Sequence, residues 1–197
     1  MELPIYYFEI DEFAPKDKGT QNVALVDNPA VLLDWMAFAE DKDDKLKQMN
    51  FSIQNEEQRI ITGVAFMPNF PIKRVLNKME FYVAANENTV AKMCRKFMRE
   101  NRNLSIKLTH EAGVFSKGVY LFESFITDTN RGISAPKGFD VPNGTWFISC
   151  KVDNDEIWSK IKAKEINGFS LELFPTDFSD AITLEDSDIQ KIIESIV

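Results

Sequence analysis

Ile166-Asn167-Gly168-Phe169-Ser170-Leu171-Glu172-Leu173-Phe174 changes its hydrophobic period within a few residues. Ahead of it, Ile157, Trp158, Ile161 and Ile166 recur at helical spacing behind a cap at Asp153 or Asn154, so Asp153 to Ile166 predicts a helix that Gly168 ends. Beyond it the residues alternate: Phe169, Leu171 and Leu173 share one face of a strand, and Ser170, Glu172 and Phe174 share the other. A serine on the face away from the apolar set, just past a helix-ending glycine, is a candidate exposed nucleophile.

Working outward, strand patterns cover residues 5 to 10, Asn22 to Asp27 (ended by Asn28-Pro29), Phe51 to Gln54, Arg59 to Phe66, Glu80 to Ala84, Leu104 to Thr109, Val119 to Thr127 and Thr145 to Val152. A polar Asn55-Glu56-Glu57 turn makes a hairpin of two of them, and Pro68 and Pro71 mark a connector. Val90, Met93, Phe97 and Met98 return to helical spacing in Glu87 to Asn101, capped at Asn88 or Thr89. The fold class is α+β, mainly β. Ala39 to Lys47 reads as a solvated loop or short helix, without the Gly and terminal Glu of a calcium loop. Residues 1–175 are expected to form one domain, and 176–197 an acidic linker with a C-terminal helical tail carrying Ile189, Ile192, Ile193 and Ile196.

With 31 acidic against 23 basic residues, the formal charge of -8 repels a polyanion and leaves no basic stripe, so nucleic acid is excluded as a direct partner. The first residues carry acids where a secretory signal carries Lys or Arg, and no apolar run approaches the roughly 20 residues that cross a bilayer. A soluble intracellular product without membrane contact is expected. Cys94 and Cys150 lie far apart without metal-ligand spacing, so neither a metal nor a cofactor is expected. Cys150 is a rival nucleophile, but it shares a strand face with Trp146, Ile148 and Val152, the setting of an inert buried thiol.

His110 is the one histidine of the chain. Alternation puts Ile106, Leu108 and His110 on one strand face and Ser105, Lys107 and Thr109 on the other. Alone, such a histidine reads as a ring bonded to a neighbouring carbonyl where a strand leaves the core. As a base for Ser170, it must bring a ring nitrogen within about 3 Å of the hydroxyl. Carboxylate pairs such as Glu111 with Glu123, or Glu172 with a second acid, do not define a glycosidase, because sequence spacing does not fix carboxyl separation.

Several segments in order carry a resemblance: Val23-Ala24-Leu25-Val26-Asp27-Asn28-Pro29-Ala30, Trp35-Met36-Ala37-Phe38, Leu108-Thr109-His110-Glu111, Val119 to Ile126, Pro142 to Ser149, and Lys151 to Trp158 leading into Ile166 to Glu172. Together, over residues from about 20 to 175, they resemble the XkdF-type phage serine proteases, relatives of the prohead or capsid maturation proteases. The resemblance implies an assemblin-like fold, a small β-barrel of mostly antiparallel strands surrounded by a few helices. It also implies Ser170 as nucleophile and His110 as base. Similar prohead proteases place an acid before the Val-Ala-Leu-Val strand; here that strand comes early in the chain and the position is Asn22, an amide able to orient an imidazole. Asp27, Glu111 and Glu123 stay open as alternatives. Arg131 and Gly132, in the loop 128–132, offer a guanidinium and backbone amides to an oxyanion, the alternative being an ordinary polar turn.

The implied activity is endopeptidase processing of phage scaffold and capsid proteins, in the host cytoplasm inside the assembling prohead, by a chain that can form a homo-oligomer. Two other readings are a non-catalytic virion or scaffold-associated structural protein, and a cysteine hydrolase using Cys150.

Overall fold

The computed structural model of this chain describes residues 3–27, 50–76, 79–108, 116–178 and 182–183. Its elements are β1 (Pro4–Glu9), β2 (Gly19–Val26), β3 (Ser52–Asn55), β4 (Ile60–Phe66), β5 (Ile72–Leu76), β6 (Met79–Ala84), α1 (Glu87–Arg99), β7 (Ile106–Leu108), β8 (Val119–Ile126), β9 (Trp146–Val152), α2 (Asp155–Lys162), β10 (Gly168–Phe174), β11 (Asp177–Phe178) and β12 (Ile182–Thr183). The chain is α+β and mainly β, as its patterning requires.

The strands form three sheets, ordered β10-β2-β7, β3-β4-β9-β8 and β11-β1-β6-β5, with β12 also paired to β1. β1 with β6 and β2 with β7 are parallel pairs; the other pairings are antiparallel. The expected closed barrel is therefore corrected: among the described residues the ladders do not run round into one ring. Two seams bring the first two sheets edge to edge. Asn50 bridges Gly168, and the Ser116 N–H donates to the Ile106 carbonyl at 2.8 Å.

One core runs between the layers. Val23, Leu25 and Ile106 are fully buried and Phe169 nearly so, and α1 adds Val90, Met93 and Phe97. Phe97 meets Trp146 edge-on at 5.6 Å between ring centroids. Each such side chain contributes about 1.5–3 kcal/mol by leaving water. Gly63 lets β4 approach closely, since a Cβ there would stand 2.9 Å from Phe51 and 3.2 Å from the Phe169 ring.

Element ends differ from the sequence reading for local reasons. α1 is capped by Asn86, not Asn88 or Thr89; extended at ψ 168, it accepts the Thr89 N–H at 2.9 Å. α2 does start at an Asn154 cap, which accepts the Ile157 N–H at 3.0 Å. It stops at Lys162, two residues before left-handed Lys164 (φ 59), so Gly168 opens β10 instead of ending the helix. β5 follows directly on the connector that Pro68 and Pro71 marked. At the other end, the Thr176 N–H donates to the Glu9 carbonyl at 3.0 Å, and β11 and β12 add to β1. Ala39 to Lys47 and the stripe from Ile189 to Ile196 lie outside the described residues. Among the described residues no helix is long and apolar enough to cross a membrane.

Candidate functional site

Register decides what stands beside Ser170. β10 runs antiparallel to β2 with Ser170 opposite Ala24 and Glu172 opposite Asn22. β2 runs parallel to β7 with Ala24 opposite Lys107. Cross-strand partners point to the same side of a sheet, so Ser170, Glu172, Asn22, Ala24 and Lys107 share one face, and Phe169, Val23, Leu25 and Ile106 the other.

On the first face Lys107 Nζ donates to Glu172 Oε1 at 2.9 Å and Oε2 at 2.8 Å, and Asn22 Nδ2 donates to Oε2 at 2.6 Å. The lysine has to cross from β7 over β2 to β10, roughly 10 Å between backbones. Ala24 carries only a methyl along that path. The lysine side chain is 8% exposed and that of Glu172 22%. Taking the two charges out of water costs several kcal/mol per ion, which the ion pair and its charge-assisted hydrogen bonds have to offset.

The expectation of an exposed hydroxyl is corrected, because Ser170 is buried at 7% exposure. This face of the sheet is polar, yet Ala24 and Lys107 on it are buried too.

The other candidates divide. His110 and Glu111 lie outside the described residues. β7 ends at Leu108, and it is Lys107, not Ile106 or Leu108, that shares the face of Ser170. Asn22 lies on that face with its amide nitrogen committed to Glu172. Asp27 is exposed just past β2, and Glu123 is exposed on β8, opposite Ser149.

Arg131 ends a single 3-10 turn, Thr129–Arg131, and Gly132 follows it in the left-handed region at φ 76. The Arg131 N–H donates to the carbonyl and carboxylate of Asp128, and the Gly132 N–H to the Thr129 carbonyl. Both amides are thus spent inside the turn, leaving the guanidinium as what the loop offers. Arg131 lines a cleft of about 570 Å³ together with Glu87, Arg95, Asp128 and Asn143. Ser170, Asn22, Lys107 and Glu172 are not among the residues lining it.

Cys150 is placed as its strand face predicted, and Cys94 lies on the buried side of α1. Cys150 is fully buried, and burial pushes its pKa far above the ordinary thiol range. Cys94 is raised as well, first by burial, with the Ser124 hydroxyl and the Arg95 charge opposing. Because the thiolate is the attacking species, both are held in the inert form. Among the described residues no group of three or more His, Cys, Asp or Glu is arranged to hold a metal ion.

Sequence reasoning passed over Lys107 and Glu172 as partners. The alternation of each strand already held the signal, since Ser170 and Glu172 share one parity and Lys107 stands opposite in parity to Ile106. What was missing was the pairing of β2 with β7, which joins residues 80 or so apart.

Residues 48–177 match the family described as "Putative phage serine protease XkdF". The matched stretch includes Lys107, His110, Arg131, Gly132, Ser170 and Glu172 and leaves out Asn22. The phage-like element PBSX protein XkdF of Bacillus subtilis (strain 168) is 25% identical over 118 residues, 60% of this chain and 38% of that protein. The chain therefore aligns with little more than a third of that relative's length. No solved structure matches.

Proposed function

This chain belongs to the family described as "Putative phage serine protease XkdF", and on that premise we propose that it is a serine endopeptidase with Ser170 as nucleophile and His110 as general base. In this reading Ser170 Oγ attacks the scissile carbonyl while its proton passes to the imidazole. The ring then returns that proton to the leaving amine, and water repeats the cycle to free the acyl group. Asn22 takes the third position, orienting the ring. The substrates are scaffold and capsid proteins of an assembling phage head, where enclosure at high local concentration makes modest turnover sufficient. The fold is read as a variant of the small assemblin-like barrel, supported by the seams at Asn50–Gly168 and Ser116–Ile106.

The observation that carries the proposal is the shared face of Ser170 with Lys107, Glu172 and Asn22, a half-buried charged cluster on the face of a buried hydroxyl and, but for Asn22, within the stretch that matches the family. Buried ionic groups cost stability, and titratable groups gathered beside a hydroxyl are the usual mark of an acid/base site.

A fluorophosphonate probe tests it: attack by Oγ forms the O–P bond, fluoride leaves, and the hydroxyl proton goes to the base. The expected result is one adduct mapped to Ser170, absent from Ser170→Ala and slowed by roughly 10³-fold or more in His110→Ala. Labelling that survives Ser170→Ala, or a folded wild-type protein that stays unlabelled, overturns the proposal.

The burial of Ser170 favours a second reading, a non-catalytic virion or scaffold-associated module that keeps the family's fold. It expects a folded protein that the probe leaves unmodified.

A further inference from the structure

Lys107 has no part in the reaction scheme above, yet it is buried within its setting. Its pair with Glu172 spans strands that already have ladders of their own, β10 with β2 from Gly168 to Glu172, where the register shifts, and β2 with β7 from Ile106 to Leu108, so the pair adds to a sheet that backbone pairing already builds. Glu172 is two residues from Ser170 on the same face, roughly 7 Å along the strand. An unbalanced carboxylate at that range opposes the reaction, because negative charge grows on the substrate oxygen as the serine attacks. A carboxylate neutralised by an adjacent ammonium does not.

We infer that Lys107 is a positioning residue of this site, which fixes Glu172 together with Asn22 and balances its charge beside the nucleophile. The inference rests on the reading of Ser170 as that nucleophile. On the same sheet face, the pair's described neighbours are Ser170 from β10 and Asn22 and Ala24 from β2. Where α1 packs on β2, its Lys96 and Glu100 are bound to one another and Glu100 to Arg102, so they do not compete for the pair.

The consequence is a pair of opposite shifts. A base that takes the Ser170 proton has to come within hydrogen-bond reach of that hydroxyl, so removing the cation leaves it facing excess negative charge, which stabilises its protonated form. Removing the carboxylate leaves excess positive charge, which destabilises it.

The experiment measures the rate of fluorophosphonate labelling at Ser170 against pH for the wild type, Lys107→Met, Glu172→Gln, the double variant and Lys107→Arg. The midpoint of the acid limb is expected to rise by about 1 pH unit in Lys107→Met and to fall by about 1 unit in Glu172→Gln. The double variant should lie between the two, and Lys107→Arg should return to the wild-type midpoint. If Lys107→Met does not fold, the downward shift in Glu172→Gln decides alone. Serine-dependent labelling whose midpoint is unmoved, or moved in the same direction by both changes, overturns the role of Lys107 and leaves the nucleophile standing. A wild-type protein that is not labelled at Ser170 overturns both.

Discussion

Lys96–Glu100 and Lys107–Glu172 each place a lysine almost out of water, its side chain 2% exposed in the first pair and 8% in the second. In the first, the donors reach into a loop that has no ladder of its own. Lys96 Nζ donates to Glu100 at 2.7 Å, to the Ala14 carbonyl at 2.6 Å and to that of Pro15 at 3.3 Å. Arg102 donates to Glu100 at 2.8 Å and to the carbonyls of Lys16 and Gln21. Gly19, at φ +86, leaves bare backbone where a Cβ would come within 3.0 Å of the Lys96 stem. This cluster ties the β1–β2 connection to α1, and that work accounts for its burial. The second pair links strands already hydrogen-bonded into one sheet and sits beside a hydroxyl. Equal chemistry thus anchors a loop in one place and in the other adds to strands that are already paired, next to the register shift at Glu172 and on the face of Ser170, and that position beside the hydroxyl is what points to function.

The comparison breaks most readily at Lys96. Lys96→Met keeps the stem but strips Glu100 and two loop carbonyls of their donor, and it is expected to cost about 3–5 kcal/mol in urea unfolding. Labelling of Ser170 should keep its wild-type pH midpoint in the fraction that remains folded. If Lys96→Met moves that midpoint as Lys107→Met does, the two clusters are not different in kind.

A smaller effect is expected at Asn22, where two roles compete. As a clamp on Glu172, its loss removes one hydrogen bond to a charged, partly exposed group, about 1–2 kcal/mol of stability. As the third member of a catalytic set, its loss slows labelling by roughly 10²-fold or more with little change in stability. Measuring both quantities for Asn22→Ala and Asn22→Asp separates the roles. A rate loss in Asn22→Ala that Asn22→Asp recovers supports the third position, and stability loss alone supports the clamp.

How much of this was legible follows the range of each interaction. Local parity was: Ser170 with Glu172 on one side of β10 and Phe169 with Leu171 on the other is a consequence of the two-residue strand period alone. The inert setting of Cys150 was legible for the same reason, from Trp146, Ile148 and Val152 at matching parity. The Asn86 cap was missed because Asn88 and Thr89 offer the same side-chain chemistry two and three residues later. β5 was missed because Pro71 stands immediately before it. The parallel register of Ala24 with Lys107 could not be read at all, since no turn or loop length between β2 and β7 fixes it. Without that register, strand alternation sets Lys107 on the face opposite Ile106 and Leu108 but does not bring it to Ser170. The exposure of Ser170 was misjudged because polarity of a strand face indicates what it touches, not whether water reaches it.

The finest test of the comparison is the acid limb of stability, read through Glu100. Burial raises the pKa of this carboxyl, but hydrogen bonds from Lys96 and Arg102 and the charges of both outweigh that, and the net displacement is downward from 4.5. A carboxyl depressed in the folded state holds fewer protons there than in the unfolded chain. Its contribution is therefore complete above 4.5 and is lost as pH falls through the folded value. Glu100→Gln lacks that term, so it should be less stable than wild type near neutrality, and the difference between the two should shrink on acidification toward pH 3. Urea unfolding of both proteins at several pH values measures that difference directly and cancels the other carboxylates. Two curves that fall in parallel would mean that Lys96 and Arg102 do not compensate the burial of Glu100. The loop would then owe its anchoring to the carbonyl contacts alone, and the mechanical account of the first cluster would lose its ionic half.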